Sequence, residues 1–388
     1  MRVATNEPLR KVAKGFRVIG WSLLWCFARL VGRRVIVVEV QLPAQWEYVG
    51  AVMDELARSG SVWLLVTTLP SRMRDVAAVV TARRWRMVDA EMLKWLPRVD
   101  VFVSASQYTM GIPRSAKASV LIPHGLPSKG NSVIARSFAF SDVFLTGPML
   151  EELFQWALRS RPEARTRLLR AGYPRSDPWL RSPPPAPRVP RTVLFAPSFE
   201  EGTSLFRYGE AIVERLLEVP GVDVWVKLHP VLLHPDWIAR NGRNWLERLA
   251  VRFAGEPRVA IVGTQSGDGP LLAASALVTD VSGIAWEFLL LGRGPIVYLD
   301  CPDFYRDTAP KLWEIAGIDS VGESVFVGRD FGLVTGLEEL PETVAFALSH
   351  PEHRMAERRA VVDRLLFHPG HATQASVELI WTILGDKR

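Results

Sequence analysis

The first half of the chain alternates short apolar runs with amphipathic stretches. Val35 to Val40 (VIVVEV) is the near-continuous β-branched run that a parallel strand buried on both faces requires. Trp46 to Arg58 then spaces its apolar residues at helical intervals, and Gly60 supplies a stop. Val62 to Thr67, Val99 to Ser104, Val120 to Ile122 and Val143 to Thr146 are further apolar runs punctuated by polar, Gly or Pro residues. A second alternation follows Pro190. There Val193 to Ala196, Val222 to Lys227, Val259 to Val262, Leu277 to Thr279 and Ile296 to Leu299 read as strands, with helices expected over Tyr208 to Leu217, Trp237 to Phe253 and Ile284 to Leu291. The tail from Leu337 to Leu384 has helical periodicity and is expected to cross back onto the first domain. Such repetition predicts an α/β protein of two Rossmann-like domains, with the carboxyl ends of their parallel strands facing a shared cleft where ligands bind.

Between the two series, Ser182 to Pro190 (SPPPAPRVP) carries five prolines and reads as a stiff extended linker. The expected organisation is therefore a basic and apolar segment over residues 1–34, an acceptor domain over 35–181, a linker over 182–190, and a nucleotide-donor domain with a helical tail over 191–388. A length of 388 residues suits two hydrophobic cores better than one. With 48% hydrophobic and 23% charged residues, both can be filled, and global disorder is excluded.

A net charge of +6 favours polyanionic partners, either phosphorylated substrates or anionic lipid. Without zinc-finger spacing, an RNP-type motif or a basic tail, nucleic acid is not an expected partner. Cys26 and Cys301 lie far apart with no metal-binding spacing, consistent with a reduced cytosolic setting. Between Arg17 and Arg29 runs an apolar stretch of eleven residues, VIGWSLLWCFA, shorter than the ~20 a spanning helix needs. Two readings stand side by side. In one it is an interfacial helix with Trp21, Trp25 and Phe27 at the headgroup boundary of an anionic membrane, placing the protein peripherally at the inner face; in the other it packs on the first domain.

Three strand ends carry the candidate chemistry. In Leu277 to Leu299 a strand ends at Asp280, turns through Ser282 and Gly283, and enters a helix at once. Free N–H groups and the positive helix end then offer an anion site, and Glu287 could accept hydrogen bonds from a ribose diol. The alternative makes Asp280 or Ser282 an ordinary N-cap. In VWVKLHP, alternation puts Lys227 and His229 on one face and Leu228 on the other, giving a point charge for phosphate and a donor or proton carrier. In LIPHG, His124 ends a first-domain strand and is a candidate general base for an acceptor hydroxyl, or a turn histidine held by backbone. Arg175 and Asp177 in AGYPRSD, and Ser198 in FAPSFEEG, either approach donor phosphate or pin their turns. HPEH and HPGH each interpose Pro between two histidines, so no metal site is expected. No Walker loop, GxSxG elbow or GxGxxG fingerprint occurs.

Taken together and in order, LIPHG, AGYPRSD, FAPS, VKLHP and LVTDVSGIAWEFLLLGRGPIVYLD resemble the landmarks of the CDP-glycerol glycerophosphotransferase family of teichoic-acid synthesis, over roughly Val101 to Asp300. That resemblance implies a GT-B fold and a CDP-linked donor, which is a substrate rather than a cofactor. It also implies transfer of glycerol phosphate to a lipid-linked acceptor, with His124 as base, His229 near the donor phosphates and Ser282 in the phosphate turn. Two positions depart from the family: Gly283 stands where a second serine is common, and FAPSFEEG lacks the usual Arg. DVSGIAWEF is also similar to the sugar-nucleotide site of non-hydrolysing UDP-N-acetylglucosamine 2-epimerases, in which the acidic residue matching Glu287 contacts ribose. A UDP-sugar enzyme and a non-catalytic membrane-surface protein on the same fold are the alternatives.

Overall fold

A computed structural model describes residues 7–69, 72–83, 85–95, 97–126, 135–183, 191–262, 268–292, 294–316 and 328–385. Its alternating elements form two sheets with every neighbouring pair parallel. The first contains β1 (Arg34–Glu39), β2 (Val62–Thr68), β3 (Arg86–Asp89), β4 (Val99–Ser104), β5 (Ala116–Leu121), β6 (Asp142–Leu145) and β7 (Arg167–Arg170), in the order β3-β2-β1-β4-β5-β6-β7. The second contains β8 (Arg191–Phe195), β9 (Val222–Lys227), β10 (Val259–Val262), β11 (Ala276–Thr279), β12 (Ile296–Leu299) and β13 (Leu333–Thr335), in the order β10-β9-β8-β11-β12-β13. The order reverses between β1 and β4 in one sheet and between β8 and β11 in the other. These switch points open a crevice at the carboxyl ends of the strands.

Burial on both faces explains the β-branched run. In β1, Val35 and Val37 enter one core while Ile36 and Val38 enter the other, so neither set can be polar. Two helices are shorter than expected because a glycine interrupts each. Gly209 (φ +59°) separates Ser204–Tyr208 from Ala211–Leu217, and Gly242 (φ +63°) ends Pro235–Asn241 before Trp245–Arg252 begins.

The tail belongs physically to the first lobe. The helix Ala372–Leu384 inserts Val377, Ile380 and Trp381 into the core that also holds Ile36, Val49 and Met53. Asp177 receives the helix at its amino end, accepting from the N–H groups of Ala372 (3.0 Å) and Thr373 (2.7 Å). The crossing chain passes so close that a Cβ on Gly147 would lie 2.1 Å from the Leu365 backbone, and one on Gly172 2.3 Å from the Phe367 carbonyl. A further core joins the lobes, packing Leu126, Met149 and Tyr173 of the first with Trp286 and Phe288 of the second. Residues 184–190, most of the proline-rich linker, lie outside the described residues.

The amino-terminal helix runs over Glu7–Leu30, and its tryptophans turn inward rather than to a headgroup boundary. Trp21 packs near Trp63, Trp25 donates through Nε1 to the Arg98 carbonyl (2.6 Å), and Arg29 pairs with buried Asp100 (2.6 Å). The opposite side leaves Ile19, Leu23, Phe27, Leu30 and Val31 exposed. No helix among the described residues is long and apolar enough to cross a membrane.

Candidate active site

A buried carboxylate stands at each switch point and ties down a neighbouring loop. Glu39, ending β1, accepts from the Ser104 hydroxyl (2.7 Å) and the Met110 N–H (2.7 Å). Asp280, following β11, accepts from the N–H of Ser198 (2.8 Å), the N–H of Ser204 (3.1 Å) and the Ser204 hydroxyl (2.7 Å). The carboxylate that ends the strand of the expected anion site thus holds the loop after β8. The Ser198 hydroxyl, expected at phosphate, donates to Glu200 instead. Glu39 was missed in the sequence because VIVVEV reads as a strand in which a lone acid carries no motif.

Loop and strand geometry give the two histidines opposite hydrogen-bonding characters. His124 follows β5, and its Nδ1 lies 2.5 Å from the carbonyl of Ala105, which can only accept; the neutral ring therefore carries its proton on Nδ1 and its lone pair on Nε2. His229 follows β9, and its Nδ1 accepts from the Val231 N–H (3.2 Å), leaving the proton on Nε2. One lobe presents a base and the other a donor. His124 keeps a solvent-exposed edge, but protein crowds it at the strand end; this desolvation, partly offset by the bond to Ala105, lowers its pKa and favours the neutral ring. His229 is braced by Phe199, 4.5 Å away between ring centroids.

Burial in β9 alternates as the sequence requires: Val224, Val226 and Leu228 are buried, while Lys227 and His229 are partly open on the other face. Lys227 faces Glu287, Arg175, Glu47 and Asp268; desolvation lowers its pKa and Glu287 opposes that shift. Among the described residues Lys227 closes no ion pair within 4 Å, so its ammonium remains available to an incoming phosphate. Ser282 and Gly283 precede the helix Ile284–Leu291, with Gly283 as its N-cap. The N–H groups of Ala285 and Trp286 turn back onto Ser282 and Gly283, whereas those of Gly283 and Ile284 have no backbone partner among the described residues. Those two amides sit where the sequence placed an anion site.

Arg175 has other partners than the phosphate expected of it. Its guanidinium pairs with Glu47, donates to Asp268 (2.7 Å) and lies 3.5 Å from Glu287. Three carboxylates around one buried cation leave little attraction for an anion. Glu287 itself accepts from the Tyr173 hydroxyl (2.7 Å). Glu47 and Tyr48, which complete this group, carried no signal in the sequence because they lie on an ordinary amphipathic helix. No cluster suited to a metal ion occurs among the described residues. A cavity of about 310 Å³ lies at the other end of the first sheet, beside Lys117, Ser119, Phe140 and Arg165, and belongs to none of this chemistry.

No family model and no curated protein matches the chain. Among solved structures it is similar to the wall teichoic acid polymerase TagF in a variant soaked with CDPG (TM-score 0.63, 12% identity, 97% of this chain and 98% of that chain). A second TagF variant gives a TM-score of 0.58 at 13% identity over the same shares. A UDP-N-acetylglucosamine 2-epimerase gives 0.53 at 14% identity, covering 92% of this chain and 97% of the other. The likeness spans both lobes and establishes the GT-B fold.

Proposed function

We propose that the chain transfers glycerol phosphate, or a related polyol phosphate, from a CDP-linked donor to a hydroxyl on a lipid-linked or glycan acceptor in cell-envelope polymer synthesis. The observation that carries this reading is the pair of histidines on opposite lobes, whose Nδ1 contacts make Nε2 an acceptor in His124 and a protonated donor in His229. Nε2 of His124 takes the acceptor hydroxyl proton as that oxygen bonds to the donor phosphorus. The bond from this phosphorus to the bridging oxygen breaks, and CMP leaves with the electron pair. Lys227, Nε2–H of His229 and the amides of Gly283 and Ile284 stabilise the charge on the phosphates. Glu287, at the inner side of this helix, takes the ribose hydroxyls.

A UDP-sugar enzyme is the second reading, favoured by the fold likeness to an epimerase. Thermal-shift measurements with CMP, CDP-glycerol, CDP-ribitol, UDP and UDP-N-acetylglucosamine separate the two. A ligand at a hundred times its dissociation constant adds about 2.7 kcal/mol of stability. Selective stabilisation by cytidylates is expected. Selective response to uridylates moves the assignment to the second reading, and silence from all five leaves a non-catalytic protein.

The proposed location is peripheral, on an anionic membrane, through the outward ridge of Ile19, Leu23 and Phe27 beside Arg33. Burying Leu23 and Phe27 contributes roughly 1.5–3 kcal/mol each. The double substitution Leu23→Asp, Phe27→Asp is therefore expected to weaken partitioning onto vesicles with phosphatidylglycerol by at least about tenfold. Unchanged partitioning would remove the ridge from the membrane contact.

A further inference from the structure

Arg175 lies in the first lobe on the segment after β7, yet its side chain, only 6% exposed, joins acids from both lobes. Glu47 comes from the helix Trp46–Arg58 of the first lobe, while Asp268 and Glu287 come from the second. The guanidinium face covers Tyr48 at 5.0 Å and Trp179 at 5.5 Å. Tyr48 in turn stands 6.2 Å from His124 and 6.0 Å from Tyr173, between ring centroids. A continuous line of packed groups therefore runs from Glu287 through Tyr173 and Tyr48 to the ring of His124, with Arg175 beside Glu287 and Tyr48.

This group is poised rather than saturated. Among the described residues the buried Nε of Arg175 has no hydrogen-bond partner, and Glu287 lies 3.5 Å away with the same oxygen already held by Tyr173. Three carboxylates face two cations, Arg175 and Lys227. Burial raises the pKa of Glu47, opposed by Arg175 and reinforced by Asp268 and Glu287. Any ligand that hydrogen-bonds Glu287 competes with Tyr173 for it and changes what Arg175 must balance.

We infer that Arg175, braced by Glu47 within the first lobe and reaching Asp268 and Glu287 of the second, is an interlobe positioning residue that fixes Tyr48 against His124 and so sets the acceptor-side base according to whether Glu287 holds a ribose. The inference rests on the nucleotide-binding reading above. Neither Arg175 nor Glu47 touches the reacting atoms. Arg175 links the lobes through Asp268 and Glu287, and Glu47 braces it from the first lobe.

CMP titrations of the full chain, followed by the ring resonances of His124 in histidine-labelled protein, test the pair. In wild type CMP is expected to move the His124 signals. In Glu47→Gln, which keeps the side-chain shape but removes the charge, CMP should bind within about threefold of wild-type affinity while the His124 signals stay in place. Arg175→Lys, which retains a cation but loses the fork, should behave likewise, and the double variant should be no worse than either single one. Should Arg175→Lys unfold, Glu47→Gln decides alone. A His124 response preserved in Glu47→Gln, or absent in wild type that binds CMP, overturns the inference. If wild type binds no CMP, the nucleotide reading fails separately. The link is then judged by small-angle scattering, where Asp268→Asn, which removes an interlobe partner of Arg175, should widen the lobe separation and an unchanged profile overturns the link.

Discussion

Replacing His124 with glutamine is expected to lower turnover by about 10²- to 10⁴-fold, the range for loss of a positioned general base, while leaving CMP affinity unchanged. Glutamine keeps a neutral side chain with an amide group near the position of Nε2, and it loses the ring nitrogen that accepts the proton. The pH profile supplies the second readout. Activity requires the neutral ring, and crowding depresses its pKa, so the wild-type rate should rise with pH through a midpoint below the ordinary histidine value of ~6.5 and then level off. That limb should vanish in the glutamine variant. Full turnover, or an unchanged acid limb, would take the base role from His124.

The largest stability effect is expected at Trp381. Its ring is buried in the first-lobe core although it sits at the far end of the chain. Trp381→Ala should cost roughly 3–5 kcal/mol, the usual range for truncating a buried tryptophan. The loss should be local: hydrogen exchange should quicken in β1, β4 and the helix Trp46–Arg58, while β8, β9 and β11 keep their protection. Equal loosening of both sheets would show that the lobes unfold as one unit.

Much of this arrangement was legible because burial on both faces leaves a strong pattern. β1, β2 and β4 have near-continuous apolar runs, and the strand ends carrying Lys227, His229 and His124 lie directly after such runs. The edges left less trace. β3 (RMVD) and β7 (RLLR) are short and bracketed by charge, since an edge strand meets water on one side. Within the site, the sequence located the turns but not how each side chain would be used. Asp280, Ser198 and Arg175 all stand near the expected places, yet each is engaged by protein: a loop amide, Glu200 and three acids from two lobes. Glu200 lies within the motif of Ser198, but the Ser198 amide on Asp280 and the Glu47 carboxylate on Arg175 lie 82 and 128 positions away along the chain, beyond any short motif. The tautomers of the two histidines likewise depend on backbone groups that only the folded loops bring into place.

The return of the helix Ala372–Leu384 to the first lobe also orders the birth of the molecule. The second sheet lies wholly between β7 and this helix, so its strands leave the ribosome while the first lobe still lacks Val377, Ile380 and Trp381. Through that interval the groove beside the helix Trp46–Arg58 is open and apolar. The lobe begun first is finished last, and a nascent chain stalled before Ala372 would carry a completed donor lobe beside an acceptor lobe whose exposed seam invites chaperones.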